Sequence, residues 1–319
     1  MNIILTGSTA FDYLMTFPGV FQEHILADKL ENISLSFLVN NMVKRRGGIA
    51  PNIAYTLALL GERPRVMATV GEDFEDYRAH LERVGVDTRL MKVIPGVFTA
   101  SFFCNTDQTN AQIASFYSGA MGYASELSFH DLEEKPDWVV ISPNDPEAMI
   151  QYPRECQELG IPYLYDPSQQ IPRMSGDDLR SGVEGAAALM VNDYEFGLIQ
   201  KKTGMRESEI LEGLRFMVIT RGSEGATIYT DGQEINVPVA QPKEIVDPTG
   251  VGDAFRGGFL TGFSHGLNWE ICGKMGALAA TYCLETKGTQ EHRFTPQEFA
   301  TRFQDEFGEG EALNVLVKK

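Results

Sequence analysis

The chain has 319 residues, 43% of them hydrophobic, with a formal net charge of −17. That length and apolar content support one large core with an appendage, while the average negative field argues against a nucleic-acid backbone or an anionic membrane as partner. The four cysteines (Cys104, Cys156, Cys272, Cys283) and five scattered histidines show neither CxxC pairs nor helical ligand spacing. This speaks against a disulfide-stapled scaffold or a zinc centre, and the cysteines are expected to be reduced.

The chain opens on Met1-Asn-Ile-Ile-Leu-Thr-Gly, which reads as a strand (Asn2–Leu5) rather than a charged signal segment. With no apolar run long enough to span a bilayer, a cytoplasmic location is expected. Gly7-Ser8-Thr-Ala-Phe-Asp12 follows. At the carboxyl end of a parallel strand, Asp12 would face the ligand crevice of an open α/β sheet and can hold a vicinal diol; as a helix cap or loop acid it would do neither.

Ile33–Arg45 has β character without a following helix period. Lys44-Arg45-Arg46 reads there as a solvated edge guarding a strand. Gly47-Gly48-Ile-Ala-Pro-Asn52 then leads into a predicted helix, Ile49–Leu60. The paired glycines permit close approach of a ligand to the backbone and Asn52 offers a donor and an acceptor, although a hinge before a polar helix surface explains them too.

A strand over Arg65–Val70 and a helix over Phe74–Val84 precede a second β-type stretch, Thr88–Tyr117, with turn signals at Pro95-Gly96 and Asp107–Asn110. The two β-type stretches are expected to pair as a small separate sheet serving as a lid, approximately 13–45 and 88–118, on one α/β domain spanning 1–319.

The remaining predicted strands are Trp138–Ile141, Tyr163–Tyr165, Ala188–Val191 and Phe216–Thr220, with helices over Glu147–Leu159, Tyr194–Thr203, Ala254–His265 and Trp269–Thr286. This alternation predicts an α/β fold with a mainly parallel sheet covered on both faces. Asn192 and Glu195 follow one strand, where they can order waters around Mg²⁺ or form a helix-capping pair. Thr220-Arg221-Gly222-Ser223-Glu-Gly225 follows another and suits either a polyphosphate or a hairpin turn.

Asp247-Pro-Thr-Gly-Val-Gly-Asp253 opens the helix that carries Phe259 and Leu260. The backbone N–H groups of Gly250, Val251 and Gly252 can converge on a phosphate at that helix N-terminus, and Asp253 is placed to take a proton from an attacking hydroxyl. As a plain strand-to-helix turn, the same run would need Asp253 only as a first-turn acid.

In this order, Gly47-Gly48…Asn52, Asn192…Glu195, Thr220…Gly222…Gly225 and Asp247…Gly250…Gly252-Asp253 resemble the motif set of the ribokinase-like (PfkB) carbohydrate kinases across essentially the whole chain. Asp-Pro-Thr-Gly-Val-Gly-Asp-Ala-Phe-Arg resembles the bacterial adenosine kinase branch, with Pro248 and Val251 where Thr and Ala are more usual in the family. Asp166-Pro-Ser-Gln-Gln170 with Arg173, and Glu285-Thr-Lys-Gly-Thr-Gln290, resemble that branch as well.

The resemblance implies a three-layer α/β/α sandwich with a β lid, ATP as donor, and Mg²⁺ as counter-charge held through water near Glu195. It also implies a monovalent cation such as K⁺ beside Asp247 in some members. Asp253 would be the base, with the Gly250, Val251 and Gly252 amides as anion hole. Asp12, Asn52 and the backbone of Gly48 would hold the ribose, and Ser8, Ser36, Phe102, Phe116, Gln169, Gln170 and Arg173 match a nucleoside pocket. Asn192, Glu195, Thr220, Gly222, Ser223 and Gly225 fall on the nucleotide side.

Phe102 and Phe116, on two lid stretches, can supply aromatic faces for a purine, unless both are lid core. The expected reaction is phosphoryl transfer from ATP to a nucleoside 5′-hydroxyl, with adenosine giving AMP and ADP. A sugar kinase of ribokinase or fructokinase type and a noncatalytic nucleotide sensor are the alternatives. The expected partners are small molecules and, through the lid's second face, another copy of the chain as a homodimer.

Overall fold

The computed structural model describes residues 1–25 and 34–317. Its strands are β1 (Ile3–Thr6), β2 (Ala10–Thr16), β3 (Asn41–Gly47), β4 (Arg65–Val70), β5 (Met91–Val93), β6 (Ala100–Thr106), β7 (Gln112–Tyr117), β8 (Trp138–Ile141), β9 (Tyr163–Tyr165), β10 (Ala188–Asn192), β11 (Phe216–Thr220), β12 (Ala226–Thr230) and β13 (Gln233–Val237). Its helices are α1 (Phe21–His24), α2 (Ile49–Leu59), α3 (Glu75–Val84), α4 (Pro146–Glu158), α5 (Gly176–Glu184), α6 (Asp193–Thr203), α7 (Glu207–Glu212), α8 (Val251–Ser264), α9 (Trp269–Leu284), α10 (Pro296–Phe307) and α11 (Asn314–Val317).

Nine strands form the large sheet in the order β13-β12-β11-β10-β9-β8-β1-β4-β5. All neighbours are parallel except β11–β12 and β12–β13. Alternate residues of each strand serve opposite cores, as a period of two requires. Leu5, Val140 and Met190 join Ile53 of α2, Tyr77 of α3 and Phe259 of α8 on one face. On the other face Ile4, Val139 and Leu189 join Tyr152 of α4, Leu179 of α5 and Ile199 of α6. Each such fully buried aliphatic or aromatic side chain contributes on the order of 1.5–3 kcal/mol against exposure, so the two layers of helices are held by the sheet they cover. The result is a three-layer α/β/α sandwich.

A second sheet, ordered β3-β2-β6-β7, leaves this sandwich as two excursions. Its membership differs from expectation at three points. The strand carrying Asp12 begins at Ala10, so Asp12 lies on the small sheet and not at the carboxyl end of a large-sheet strand. Within Thr88–Tyr117, Met91–Val93 pairs with β4 and belongs to the large sheet. In the stretch Ile33–Arg45, Ile33 lies outside the described residues, residues 34–39 have no regular structure, and only Asn41 onward is strand.

Among the described residues no helix is long and apolar enough to cross a membrane. All four cysteines are free and buried.

Candidate active site

Helix α8 begins on Gly250, whose φ of +77° and close contact with Thr289 leave no room for a side chain; an added Cβ would sit 2.7 Å from Thr289 Cγ2. Among the described residues no side chain caps this N-terminus, which leaves the first-turn N–H groups with their partial positive charge. The residue at the third helical position is Asp253, whose Oδ2 accepts a 2.8 Å hydrogen bond from Asn52 Nδ2. Asn52 arrives there because α2 starts from Gly48. At φ +96°, Gly48 lies against the Ser8–Ala10 backbone, and Ser8 Oγ accepts the Ile49 N–H at 3.2 Å.

One turn beyond Asp253, Arg256 is buried and donates from Nη2 to Asp166 Oδ1 at 2.7 Å, while its Nε has no partner among the described residues. Asp166 itself follows β9 and accepts from Ser142 Oγ at 3.2 Å. Glu195 closes the group from α6. Its two oxygens accept from Asn192 N (2.8 Å) and Ser168 Oγ (3.0 Å), and its own N–H donates to Asn192 Oδ1 at 2.8 Å, so the capping pair is formed.

Asp253 opens on a cavity, yet the dense protein around it pushes its carboxyl up to about 7. Burial is the largest cause. Arg256 and the Asn52 hydrogen bond pull the value down, and Asp166 and Glu195 push it further up. Asp166 is raised to about 6, by burial first and despite Arg256. For Arg256 burial works against the charged form, but Asp166, Asp253 and Glu195 together hold the guanidinium above its ordinary value.

Two cavities meet here. One, of about 560 Å³, is walled by Ser8, Asp12, Gly48, Asn52, Phe102, Phe116, Gln169, Asn192, Glu195, Thr220, Gly250, Gly252, Asp253 and Arg256, among others. The second, of about 840 Å³, is walled by Gly222, Ser223, Gly225, Val251 and an apolar run from Val237 to Ala240, with Ile245, Ala280 and Leu284. Asn192, Thr220, Pro248 and Gly252 belong to both walls.

The small sheet roofs the first cavity with one cross-strand row. Arg45 pairs with Asp12, Asp12 with Phe102, and Phe102 with Phe116. Phe116 is 46% exposed, so it is not core of the small sheet. Asp12 is raised to about 6, by burial first, with Arg45 lowering it and Asp247 raising it.

Three expected pocket residues stand away from these walls. Ser36 and Arg173 are exposed, and Gln170 is buried with Nε2 donating to Asn144 O. Asp247 sits behind the turn, accepting from Thr249 N (3.0 Å) and Gly288 N (3.1 Å). The loop Gly222–Gly225 is a hairpin turn between β11 and β12, and its glycines and Ser223 also line the second cavity.

The basic run at Lys44–Arg46 lies on the edge strand of the small sheet with Lys44 exposed, as expected, but Arg45 and Arg46 are half-buried and also hold the segment near Thr289. Arg45 donates to Lys287 O, and Arg46 O accepts from Thr289 Oγ1 at 3.1 Å. Arg256, Asp166 and Gln290 belong to segments matched to the family by resemblance in the sequence, but no role is assigned to them there. The spacing of Arg256 three residues after Asp253, one helical turn on, is the signal that could have found the first.

A half-buried acid beside a helix start thus lies at the junction of two cavities. The chain belongs to the pfkB family of carbohydrate kinases, whose pattern it matches over residues 12–296. It is therefore a phosphotransferase acting on a hydroxyl acceptor, with the ribokinase fold.

It is 30% identical to a nucleoside kinase of Methanothermobacter thermautotrophicus over 96% of this chain and 97% of that protein. Among solved structures it resembles Burkholderia thailandensis nucleoside kinase in complex with ADP-inosine, at 37% identity and a TM-score of 0.83, covering 96% of each chain. It also resembles the Methanocaldococcus jannaschii nucleoside kinase, at 27% identity and a TM-score of 0.84, covering 96% of this chain and 99% of that one.

Proposed function

We propose that the protein is an ATP-dependent nucleoside kinase with adenosine as acceptor, giving AMP and ADP. The observation that carries this reading is the position of Asp253, at the meeting of a polar cavity roofed by aromatic side chains and an apolar one suited to a nucleotide base. The nucleoside enters the first cavity, its base against Phe102 and Phe116 and beside Ser8 and Gln169, its ribose hydroxyls on Asp12, Asn52 and the Gly48 backbone. ATP enters the second, its phosphates reaching Gly252 past Thr220, Gly222, Ser223 and Gly225. The Burkholderia relative, in complex with ADP-inosine, supports a nucleoside and a nucleotide side by side.

In the reaction Asp253 takes the 5′-hydroxyl proton as that oxygen bonds to the γ-phosphorus, and the bond from phosphorus to the β,γ-bridging oxygen breaks to release ADP. The amides of Gly250, Val251 and Gly252 take up charge on the transferring group.

Asp166, Glu195 and Asp253 around the single guanidinium of Arg256 offer surplus negative charge and oxygen donors only, which fits Mg²⁺. Among the described residues no three acidic, histidine or cysteine side chains form a ready-made ion site, so the protein's share is a water-mediated contact from Glu195 to an ion entering with the triphosphate. Mg²⁺ there would neutralise phosphate charge. A K⁺ ion beside Asp247 would play a supporting role behind the anion hole.

The small sheet acts as the lid. Its exposed Met42, Phe103, Ile113 and Tyr117 support a homodimer through that sheet.

A sugar kinase would need no aromatic roof. Adenosine, guanosine, inosine, ribose and fructose at equal concentration, with ATP and Mg²⁺, decide the matter. Adenosine is expected to yield AMP while ribose and fructose stay largely unreacted; brisk turnover of a free sugar without AMP formation overturns the reading.

A further inference from the structure

Behind the proposed base lies a buried chain of polar groups that the reaction as described does not use. Asn52 donates from Nδ2 to Asp253 and accepts at Oδ1 from Gln290 Nε2, both at 2.8 Å. Gln290 Nε2 also donates to the hydroxyl of Tyr77, and that hydroxyl donates to Gly47 O at 2.9 Å. Gln290 is 3% exposed and Tyr77 fully buried.

The direction of this chain is not open to choice. An amide group can be turned end for end and a hydroxyl can rotate, but a backbone carbonyl only accepts. Because Gly47 O must receive the Tyr77 proton, the Tyr77 oxygen is left to accept, so the Gln290 atom facing it must be the NH₂. That same NH₂ meets Asn52, which must therefore present its oxygen to Gln290 and its own NH₂ to Asp253. The polarity imposed at Gly47 is carried through three side chains to the carboxylate.

We infer that Gln290 is a positioning residue. It locks the Asn52 amide in the orientation that donates to Asp253 Oδ2, leaving the other carboxylate oxygen as the proton acceptor, and it ties this orientation to Gly47 where the lid strand β3 joins α2. Without that lock the Asn52 amide can turn its oxygen to Asp253, an arrangement of two facing acceptors that favours the protonated, inactive acid. The inference rests on Asp253 being the base.

The other charged or titratable groups around Asp253 are Arg256 on its own helix, Asp166 after β9 and Glu195 on α6, with Tyr77 on α3 and Cys283 on α9 beyond them. None of these fixes the Asn52 amide. The other end of Gln290 lies beside the His80 ring, so the contact that locks Asn52 is made by the NH₂ end of Gln290.

The test uses the full-length enzyme with adenosine, ATP and Mg²⁺. Gln290→Met keeps the volume and removes the donor; kcat is expected to fall about tenfold while the nucleoside KM stays within about threefold. Gln290→Glu replaces the donor by an acceptor and adds negative charge, so the acid limb of the kcat/KM profile is expected to move up by about one pH unit. Tyr77→Phe removes only the anchor of the chain and is expected to cost about threefold in kcat.

Thermal unfolding of each variant reports folding, and if Gln290→Glu does not fold, the other two carry the test. Normal kcat in Gln290→Met and Tyr77→Phe, an unmoved acid limb in a folded Gln290→Glu, or a rise in KM alone overturns the inference. Asp253→Asn keeps the two readings apart. If it is inactive while the Gln290 variants are normal, only the positioning role falls; if it turns over normally, the assignment of the base itself falls.

Discussion

The two cavities that meet at Gly252 are built on opposite principles. The first is walled by Asp12, Glu195, Asp253 and Arg256 under an aromatic roof. Among the described residues the second has Asp193 as its one charged side chain, and otherwise hydroxyls, the amides of Asn192 and Gln241, glycines and apolar groups such as Val237, Pro238, Phe255 and Leu284. Charge in a partly buried site can be arranged to favour one protonation state and one transition state, whereas apolar walls reward shape and area with little regard to orientation. Chemistry and acceptor choice are thus expected to depend on single residues of the first cavity, and donor binding on the summed surface of the second.

The sharpest break of that contrast is Asp253→Asn. Loss of the base is expected to lower kcat by three or more powers of ten with little change in adenosine affinity, measured by steady-state kinetics and calorimetry. A base acts only when ionised, so under the proposed mechanism kcat/KM is expected to fall tenfold per pH unit below about 7. The same raised value predicts a gain in stability. The folded protein holds this proton more tightly than the unfolded chain, so stability declines as pH rises from 3.8 through about 7, and above that the penalty of the partly desolvated charge remains. Asp253→Asn removes the charge, and at pH 8 its melting temperature is expected to be on the order of 2 °C above the wild type.

Arg256→Met comes next. It leaves Asp166, Glu195 and Asp253 without their shared counter-charge, and a kcat lower by about a hundredfold, with the acid limb displaced upward, is the expected result. Because Asp166 is 1% exposed and would lose its cationic partner Arg256, the single variant is also expected to unfold more easily. Adding Asp166→Asn separates the two effects: stability should recover while kcat stays low. Recovery of both would mean that Arg256 merely neutralises Asp166.

What the sequence disclosed follows the same physical division. Strands such as Val139–Ile141 and Leu189–Val191 are buried on both faces and stand out as apolar runs, which is why the parallel sheet could be read directly. Every residue of β7 is exposed, so that strand carries no alternation, and the bounds of the small sheet had to be guessed from turns. β12 and β13 lie between turn-rich segments and are not among the predicted strands, and α5, α7 and α10 are not among the predicted helices.

At the site, Asp253, Asn52 and Glu195 were legible because glycines or strand ends mark them. Gln290 and Asp166 fall in matched segments, but their roles could not be read there, since each acts through a partner far away in sequence: Gln290 lies 238 residues from Asn52 and Asp166 90 from Arg256. No local pattern records such pairs.

Phe116→Ala tests the roof of the first cavity. With its ring half exposed in the free protein, truncation should leave the melting temperature unchanged, and the loss of one aromatic face should raise the adenosine KM about tenfold, equivalent to ~1.4 kcal/mol. The phosphorylation of a free sugar, if detectable at all, should be unaffected, because a sugar presents no ring to stack. An equal loss for both acceptors would remove the aromatic roof as the source of nucleoside preference.

The smallest effect is expected in the second cavity, and it is the one that most directly tests whether binding there is distributed. Ile245 lines this cavity while being 72% exposed, so an Ile245→Ala variant loses almost nothing in the free fold and any cost must appear on donor binding. Removing part of one apolar wall takes away a few tens of Å² of contact, worth under about 1 kcal/mol, and the ATP KM is expected to rise about threefold with kcat and the adenosine KM unchanged. If the ATP KM instead rose a hundredfold, Ile245 would be a specific anchor, and the second cavity would depend on single residues just as the first does.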